Sequence, residues 1–384
     1  MSNPNTSEIS FLGTGDCGPV HGPKDGFPVE RYTELVRPTL AGVDLRMVNC
    51  ERQYSLRGTY DETAHPGKDH THGRQPPEMA QIFTDCGFDA ATIANNHMYD
   101  YGPEALLDTR ALLLEKGIKV TGAGKDLEEA RQPAIVECKG IKVGFLGYCS
   151  VVPPGGEAGA RKVGIAQLRV KTYYEPRGPH APTRVRTEPN EDDMKMILDD
   201  IAELRKRVDV VVPVFHWGVI WAPRIIADYQ VTVAHACIDA GADLILGHHA
   251  HVPKAIEVYK DKAIFYSLSN FCMTKTHANA VWKEAPWAHG ALRNHADQDP
   301  DYPLLPYGQH AKRTLLAKAI FSKSGVKRVS YLPMMIDKLY RPEVLRNGDP
   351  RFDDMVRYMD WASDGFDHKF RIDGDEVVVT ADLA

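Results

Sequence analysis

The sequence contains no CxxC pair, no basic stretch, and no apolar run approaching the roughly 18 residues that read as a bilayer span. Its seven cysteines are scattered and odd in number. That pattern argues against a secreted disulfide scaffold and against a structural zinc, and it fits reduced thiols in the cytoplasm. Residues Met1 to Ser10 have neither a basic start nor an apolar stretch, so no secretory signal is expected. Lys and Arg total 46 against 52 Asp and Glu, a net charge of −6. A nucleic-acid binder usually carries a basic face, so neither nucleic acid nor membrane is an expected partner. No internal repeat, coiled-coil pattern or low-complexity linker appears.

What is present is ordinary globular composition, 43% hydrophobic and 26% charged over 384 residues. That length suits one large α/β domain with embellishments, or two domains; the single-domain reading, residues 1–384, is the expectation carried forward. Apolar runs at Ile9–Gly13, Val43–Asn49, Asp89–Ala94, Lys142–Tyr148, Val208–Phe215 and Asp243–Leu246 predict strands. The first is expected to end in a tight Gly-Thr-Gly turn. Helical spacing covers Pro28–Leu40, Pro77–Cys86, Pro103–Lys116, Asp192–Arg207, Ile225–Ala240 and Arg351–Ala362. Hairpins are expected across Lys260–Lys262 and between Leu315–Phe321 and Val326–Leu332, with a last strand at Glu376–Thr380. Residues 151–190 and 272–313 lack sustained periodicity and read as irregular excursions.

Polar residues recur just after the apolar runs. They are Asp16, Asn49, Glu51, Asn95, Asn96, His97, His216, His248, His249 and His251. In α/β sheets ligands bind at the carboxyl ends of strands, so these residues are expected to share one site. Carboxylate, imidazole and amide oxygen together suit a divalent transition metal such as Mn, Fe or Zn, and two ions can share a bridging carboxylate. Each residue alone has a plain structural explanation. Asp16 can serve a turn, His216 a packed strand end, and Asn95-Asn96-His97 a helix cap. Three histidines within Gly247–His251 are harder to assign to packing.

The segments Gly15-Asp16, Asn49-Cys50-Glu51, Ala94 to Gly102, His216-Trp217-Gly218, Gly247 to Val252 and Tyr266 to Phe271 resemble the poly-γ-glutamate capsule-synthesis CapA family. That family is similar to the calcineurin-like metallophosphoesterases. The resemblance runs from about residue 9 to about residue 340. It implies a four-layer αββα sandwich. It implies Asp16, Glu51, Asn96, His216, His249 and His251 as metal ligands, with His248 an alternative to His249. It implies His97 as the substrate-contacting histidine and Asp100 as the carboxylate that orients it. Asn95, Trp217 and Asn270 fall beside these motifs and are expected to touch substrate.

Two departures stand out. The phosphoesterases usually carry His two residues after the first Asp, where this chain has Gly18. The capsule family often has Glu-Tyr where this chain has Ile220-Trp221, which suggests a different or more apolar substrate. The 272–313 excursion is expected to form a lid. Its Trp282 and Trp287 are substrate-binding candidates and His295 a catalytic one, alongside His277, His289, Asp297 and His310. A loop at 64–74 adds His65, His70 and His72.

These features lead to a metal-dependent hydrolase of a phosphoester, amide or related bond as the first expectation. The alternatives are a metal-dependent epimerase using His97, Asp16 and His295, and a non-enzymatic capsule accessory. A small-molecule or peptide substrate is the expected partner, and self-association is left open.

Overall fold

The computed structural model describes residues 8–19, 28–60, 74–274, 299–305 and 307–381. Two large β-sheets organise them. The first has ten strands, running in the order Lys369–Asp373, Glu376–Thr380, Gly325–Ile336, Arg313–Ser322, Glu8–Gly18, Leu45–Cys50, Ala90–Thr92 and Lys119–Thr121. Asn270–Met273 joins it beside Glu8–Gly18, and Pro342–Val344 joins it beside Gly325–Ile336. The second has six, in the order Ile256–Tyr259, Lys262–Phe265, Leu244–His248, Val210–His216, Ile141–Cys149 and Ala134–Cys138.

The apolar runs are continuous because the central strands are covered on both faces, as parallel strands usually are. Side chains alternate across a strand. Phe11, Met47, Val212 and Leu246 therefore fill the space between the sheets, together with Phe145. Their neighbours Leu12 and Val48 point outward, into a second cluster that also holds Leu40, Phe83 and, from the helix Gly102–Glu115, Leu106 and Leu113. On the second sheet Val211 and Ile245 point outward. They meet Ile197 and Ile201 of the helix Glu191–Arg205, and Val233 and Cys237 of the helix Asp228–Asp239. The result is helix, sheet, sheet, helix: the four-layer sandwich that the resemblance implied.

Several local expectations are corrected. The first strand does not turn at Gly13-Thr14-Gly15 but runs on to Gly18. Its glycines mark close approaches instead. A Cβ at Gly13 would lie 2.8 Å from Leu246 Cδ1 on the facing sheet, and one at Gly15 would lie 2.0 Å from the carbonyl oxygen of Ser269. That oxygen accepts the Asp16 N–H at 2.9 Å, so any residue larger than glycine at 15 pushes apart two segments that carry site residues. Gly15→Ala is expected to cost more than about 2 kcal/mol, at the upper end of overpacking effects. Urea denaturation checks this; a midpoint within error of the parent would show that the Ser269 turn can yield.

Pro28–Leu40 is broken into a 3-10 turn, Val29–Thr33, and a short helix, Arg37–Ala41. Pro38 sits in that helix's first turn, where proline is tolerated. Pro77–Cys86 divides in the same way, into Pro77–Ala80 and Gln81–Asp85. The 151–190 excursion is not irregular throughout: Val170–Glu175 and Arg184–Pro189 form an antiparallel hairpin. It escapes notice because it is solvated and its residues do not alternate apolar with polar. Among the described residues no helix is long and apolar enough to cross a membrane.

Candidate metal centre

Adjacent strand ends of both sheets meet at one edge of the sandwich. In the first sheet Asp16 is paired with Asn49 on one side and Asn270 on the other. In the second, His216 is paired with His248. The loops after these ends deliver Glu51, Asn96 and His249 to His251. His249 and His251 have φ of 89° and 55°, and Ser269 has 67°. Non-glycine residues rarely hold such angles, and they persist where surrounding contacts over-determine them.

The donor atoms converge in two overlapping groups. In one, His216 Nε2 lies 2.8 Å from Asn96 Oδ1, 3.1 Å from His249 Nδ1 and 3.5 Å from Glu51 Oε1. In the other, Asp16, Glu51 and His251 each offer an atom within 4.8 Å of the others. Within it, His251 Nδ1 is 3.5 Å from Asp16 Oδ2, and His251 Nε2 is 3.7 Å from Glu51 Oε1. Glu51 is common to both. Ligands held at about 2.1 Å by a tetrahedral ion lie roughly 3.4 Å apart, so these separations fit a shared transition metal site. The 3.1 Å between His216 Nε2 and His249 Nδ1 suits two ligands of one ion as well as a hydrogen bond between neutral rings.

The electrostatics agree. Burial pushes the Asp16 carboxyl up to about 7, against the hydrogen bonds from Asn49 and the His249 N–H that favour its charge. Burial holds His216 well below the usual imidazole range, with neighbouring histidines adding to the effect, and pushes His249 down to about 3. A dehydrated carboxylate beside neutral imidazoles is a set whose desolvation cost a bound cation would offset.

Around the donors lies a shell of amides. Asn49 Nδ2 donates to Asp16 Oδ1 at 2.8 Å and lies 3.2 Å from His216 Nδ1. Asn270 Nδ2 donates to the carbonyls of His251 and Ala311, at 3.1 and 3.0 Å. Its Oδ1 therefore accepts from His251 Nδ1 at 2.8 Å, which fixes that tautomer and makes Nε2 the nitrogen that could take an ion. The Tyr307 ring stacks on His251, 4.1 Å between centroids and 11° from parallel. At the rim, His97 Nδ1 meets Asp100 Oδ2 at 2.9 Å. The His97 side chain is 12% exposed and the Asp100 side chain fully buried.

The six ligands implied by the resemblance with His249 in place are thus brought together. Four other expectations are corrected. His248 turns into the core, where its Nε2 donates to the Thr14 carbonyl at 3.0 Å, and of the two it is His249 whose ring nitrogen reaches another donor of the site. Trp217 is completely buried. It stacks between Phe215 and Tyr266, its indole N–H donates to the Tyr266 carbonyl at 3.0 Å, and it offers no face to a substrate. Asn95 is also completely buried, donating to Asn49 Oδ1 and the Cys50 carbonyl and accepting the His97 N–H. Asn95 and Asn270, both completely buried, hydrogen-bond other site residues and present no surface to a substrate. His295, Trp282 and Trp287, with His65, His70, His72, His277, His289 and Asp297, lie outside the described residues. Tyr307 had no sequence signal, because nothing in a Pro-Tyr-Gly stretch announces a partner 56 positions earlier. Gly18 is explained by Arg52. A Cβ there would lie 2.3 Å from Arg52 Cγ, and Arg52 Nε donates to the Gly18 carbonyl at 2.9 Å, so no ligand side chain fits at position 18.

The chain is 29% identical over 255 residues to the PGA biosynthesis protein CapA of Bacillus subtilis, an alignment covering 65% of this chain and 59% of that one. It is 31% identical over 201 residues to a Mycobacterium tuberculosis protein named "Probable polyglutamine synthesis accessory protein", covering 50% and 47%. The chain thus spans about half the length of these relatives. The solved calcineurin-like phosphoesterase YfkN from Bacillus subtilis overlaps 88% of each chain at 15% identity, with a TM-score of 0.38. Residues 11–275, which hold every ligand named above, match the model of the bacterial capsule synthesis protein family PGA_cap, and the chain belongs to that family.

Proposed function

We propose that this chain is a metal-dependent hydrolase acting on a phosphoester, amide or related bond of a small molecule or peptide. The observation that carries the reading is the double convergence on Glu51: Asn96, His216 and His249 on one side, Asp16 and His251 on the other. Mn, Fe and Zn are the ions that this mixture of carboxylate, imidazole and amide suits. When bound, such ions supply Lewis-acid polarisation of a substrate oxygen and a more acidic water.

The chain's own residues supply the rest. Asn49 and Asn270 hold Asp16 and His251 in fixed orientations. Asp100 anchors one nitrogen of His97, so proton exchange with a substrate or leaving group falls to the other. All seven cysteines are free, which supports a reducing compartment and, with it, a cytoplasmic location.

A second reading, a non-enzymatic accessory of capsule polymer assembly, is favoured by the name of the mycobacterial relative. One experiment separates the two. The protein is stripped with chelator, reloaded with Mn, Fe or Zn, and assayed against phosphoesters, γ-glutamyl amides and small amides. Turnover that disappears on stripping and returns with metal is the expected result. Full activity in protein shown by elemental analysis to be metal-free would overturn the metal reading, and failure to bind any of the three ions would favour the accessory role.

A further inference from the structure

Ile220-Trp221 departs from the family's usual Glu-Tyr, and the metal centre does not use it. Trp221 begins a turn with φ of 60°, its N–H held by the Ala250 carbonyl at 2.9 Å, between the two ligating histidines. The turn ends at Ile225, whose carbonyl accepts from the buried Lys254 amine at 2.5 Å. Between this turn, the Tyr307–His310 segment and Trp361 lies a cavity of about 370 Å³, within the range of small-molecule sites. The Tyr307 ring lies 6.0 Å from that of Trp221 and also covers His251, so the cavity is one aromatic layer away from a metal ligand.

Trp221, Tyr307, Trp361 and the imidazole of His310 line this space, and among the described residues no carboxylate does. Its formal charge is Arg224, whose guanidinium lies 5.6 Å over the Trp361 ring and pairs at the rim with the exposed Asp364. Gln309 adds an amide. We propose that this cavity binds a planar aromatic acid, ring against the indoles and carboxylate on Arg224; that it is the specificity pocket of the substrate rests on the hydrolase reading above. Flat π walls favour a ring over an aliphatic chain of equal area. A cationic ligand would meet Arg224 already seated on Trp361. Exposed ion pairs contribute little, so a ligand carboxylate can exchange with Asp364 and use the planar fork of the guanidinium.

The test is binding of benzoate to the full chain, followed by saturation-transfer NMR, before and after chelation. Benzoate is expected to bind in both states and more tightly than cyclohexanecarboxylate or benzylammonium. Trp361→Ala and Arg224→Gln, both at exposed side chains and checked for folding by circular dichroism, are expected to weaken it about tenfold each, the equivalent of one lost stacking or charge-assisted contact. Binding that vanishes on chelation would place benzoate on the metals and overturn the proposal. So would equal binding of cyclohexanecarboxylate, or indifference to both substitutions. Benzoate bound as expected, with no hydrolysis of any aryl ester, amide or phosphoester, would leave the cavity assigned and remove the hydrolase reading alone.

Discussion

Replacing His249 with alanine is expected to lower transition-metal affinity by more than the roughly 10–100-fold that loss of an outer hydrogen-bonding partner costs. The reason is positional. His249 Nδ1 lies 3.1 Å from His216 Nε2, and its backbone N–H donates to Asp16 Oδ2 at 3.2 Å, so it joins the two donor groups. Asn270→Ala provides the graded comparison. It removes the acceptor that holds His251 Nδ1 and should fall within that outer-partner range. His248→Ala provides the contrast, because its bond to the Thr14 carbonyl is structural. It should cost stability, about 1–3 kcal/mol for a lost buried hydrogen bond and its packing, with metal affinity little changed. His235, paired with Glu257 at 2.8 Å on the far side of the second sheet, should leave metal content unchanged when replaced. Elemental analysis with chelator competition measures affinity, and urea denaturation measures stability. If His248→Ala loses metal and His249→Ala keeps it, the assignment between the two neighbours is reversed.

That assignment shows where the sequence stops being legible. The strands were readable because Val210–His216 and Leu244–His248 are buried on both faces and so appear as unbroken apolar runs. The site was readable because its ligands follow such runs. The choice between His248 and His249 was not, since it depends on where the strand ends. His248 keeps the strand's geometry and is directed inward, whereas His249 takes φ of 89° and turns to the metal side. Trp217 misled for a related reason. Its neighbour His216 belongs to the site, but alternation along the chain carries the next side chain to the opposite face, among Phe215, Tyr229 and Tyr266. Asn49 and Asn270 are adjacent to Asp16 only through strand pairing across 33 and 254 positions of sequence, a relation that no local pattern encodes. The glycines of the first strand look like turn residues until the facing sheet and the Ser269 turn are in place.

Converting His97 to alanine is expected to leave metal content intact and to lower turnover by about 10²–10⁴-fold, the range for a positioned proton donor or acceptor. His97 follows the ligand Asn96 directly. Its own ring is held instead by Asp100, at 2.9 Å, and reaches the rim of the site. Asp100 is a positioning residue in this scheme. Its side chain is fully buried and acts through the imidazole, fixing which nitrogen carries the proton. Asp100→Asn keeps the shape but can present an N–H where a carboxylate oxygen accepted, which favours the wrong tautomer. A loss smaller than that of His97→Ala, falling mainly on kcat, is expected. Added imidazole should restore part of the activity of His97→Ala, since the vacated space opens to the rim, and it should do nothing for Asp100→Asn, in which the His97 ring still fills that space. Metal analysis accompanies each variant. Loss of metal in His97→Ala would move this residue among the ligands, and loss confined to KM would make it a binding group that takes no part in proton transfer.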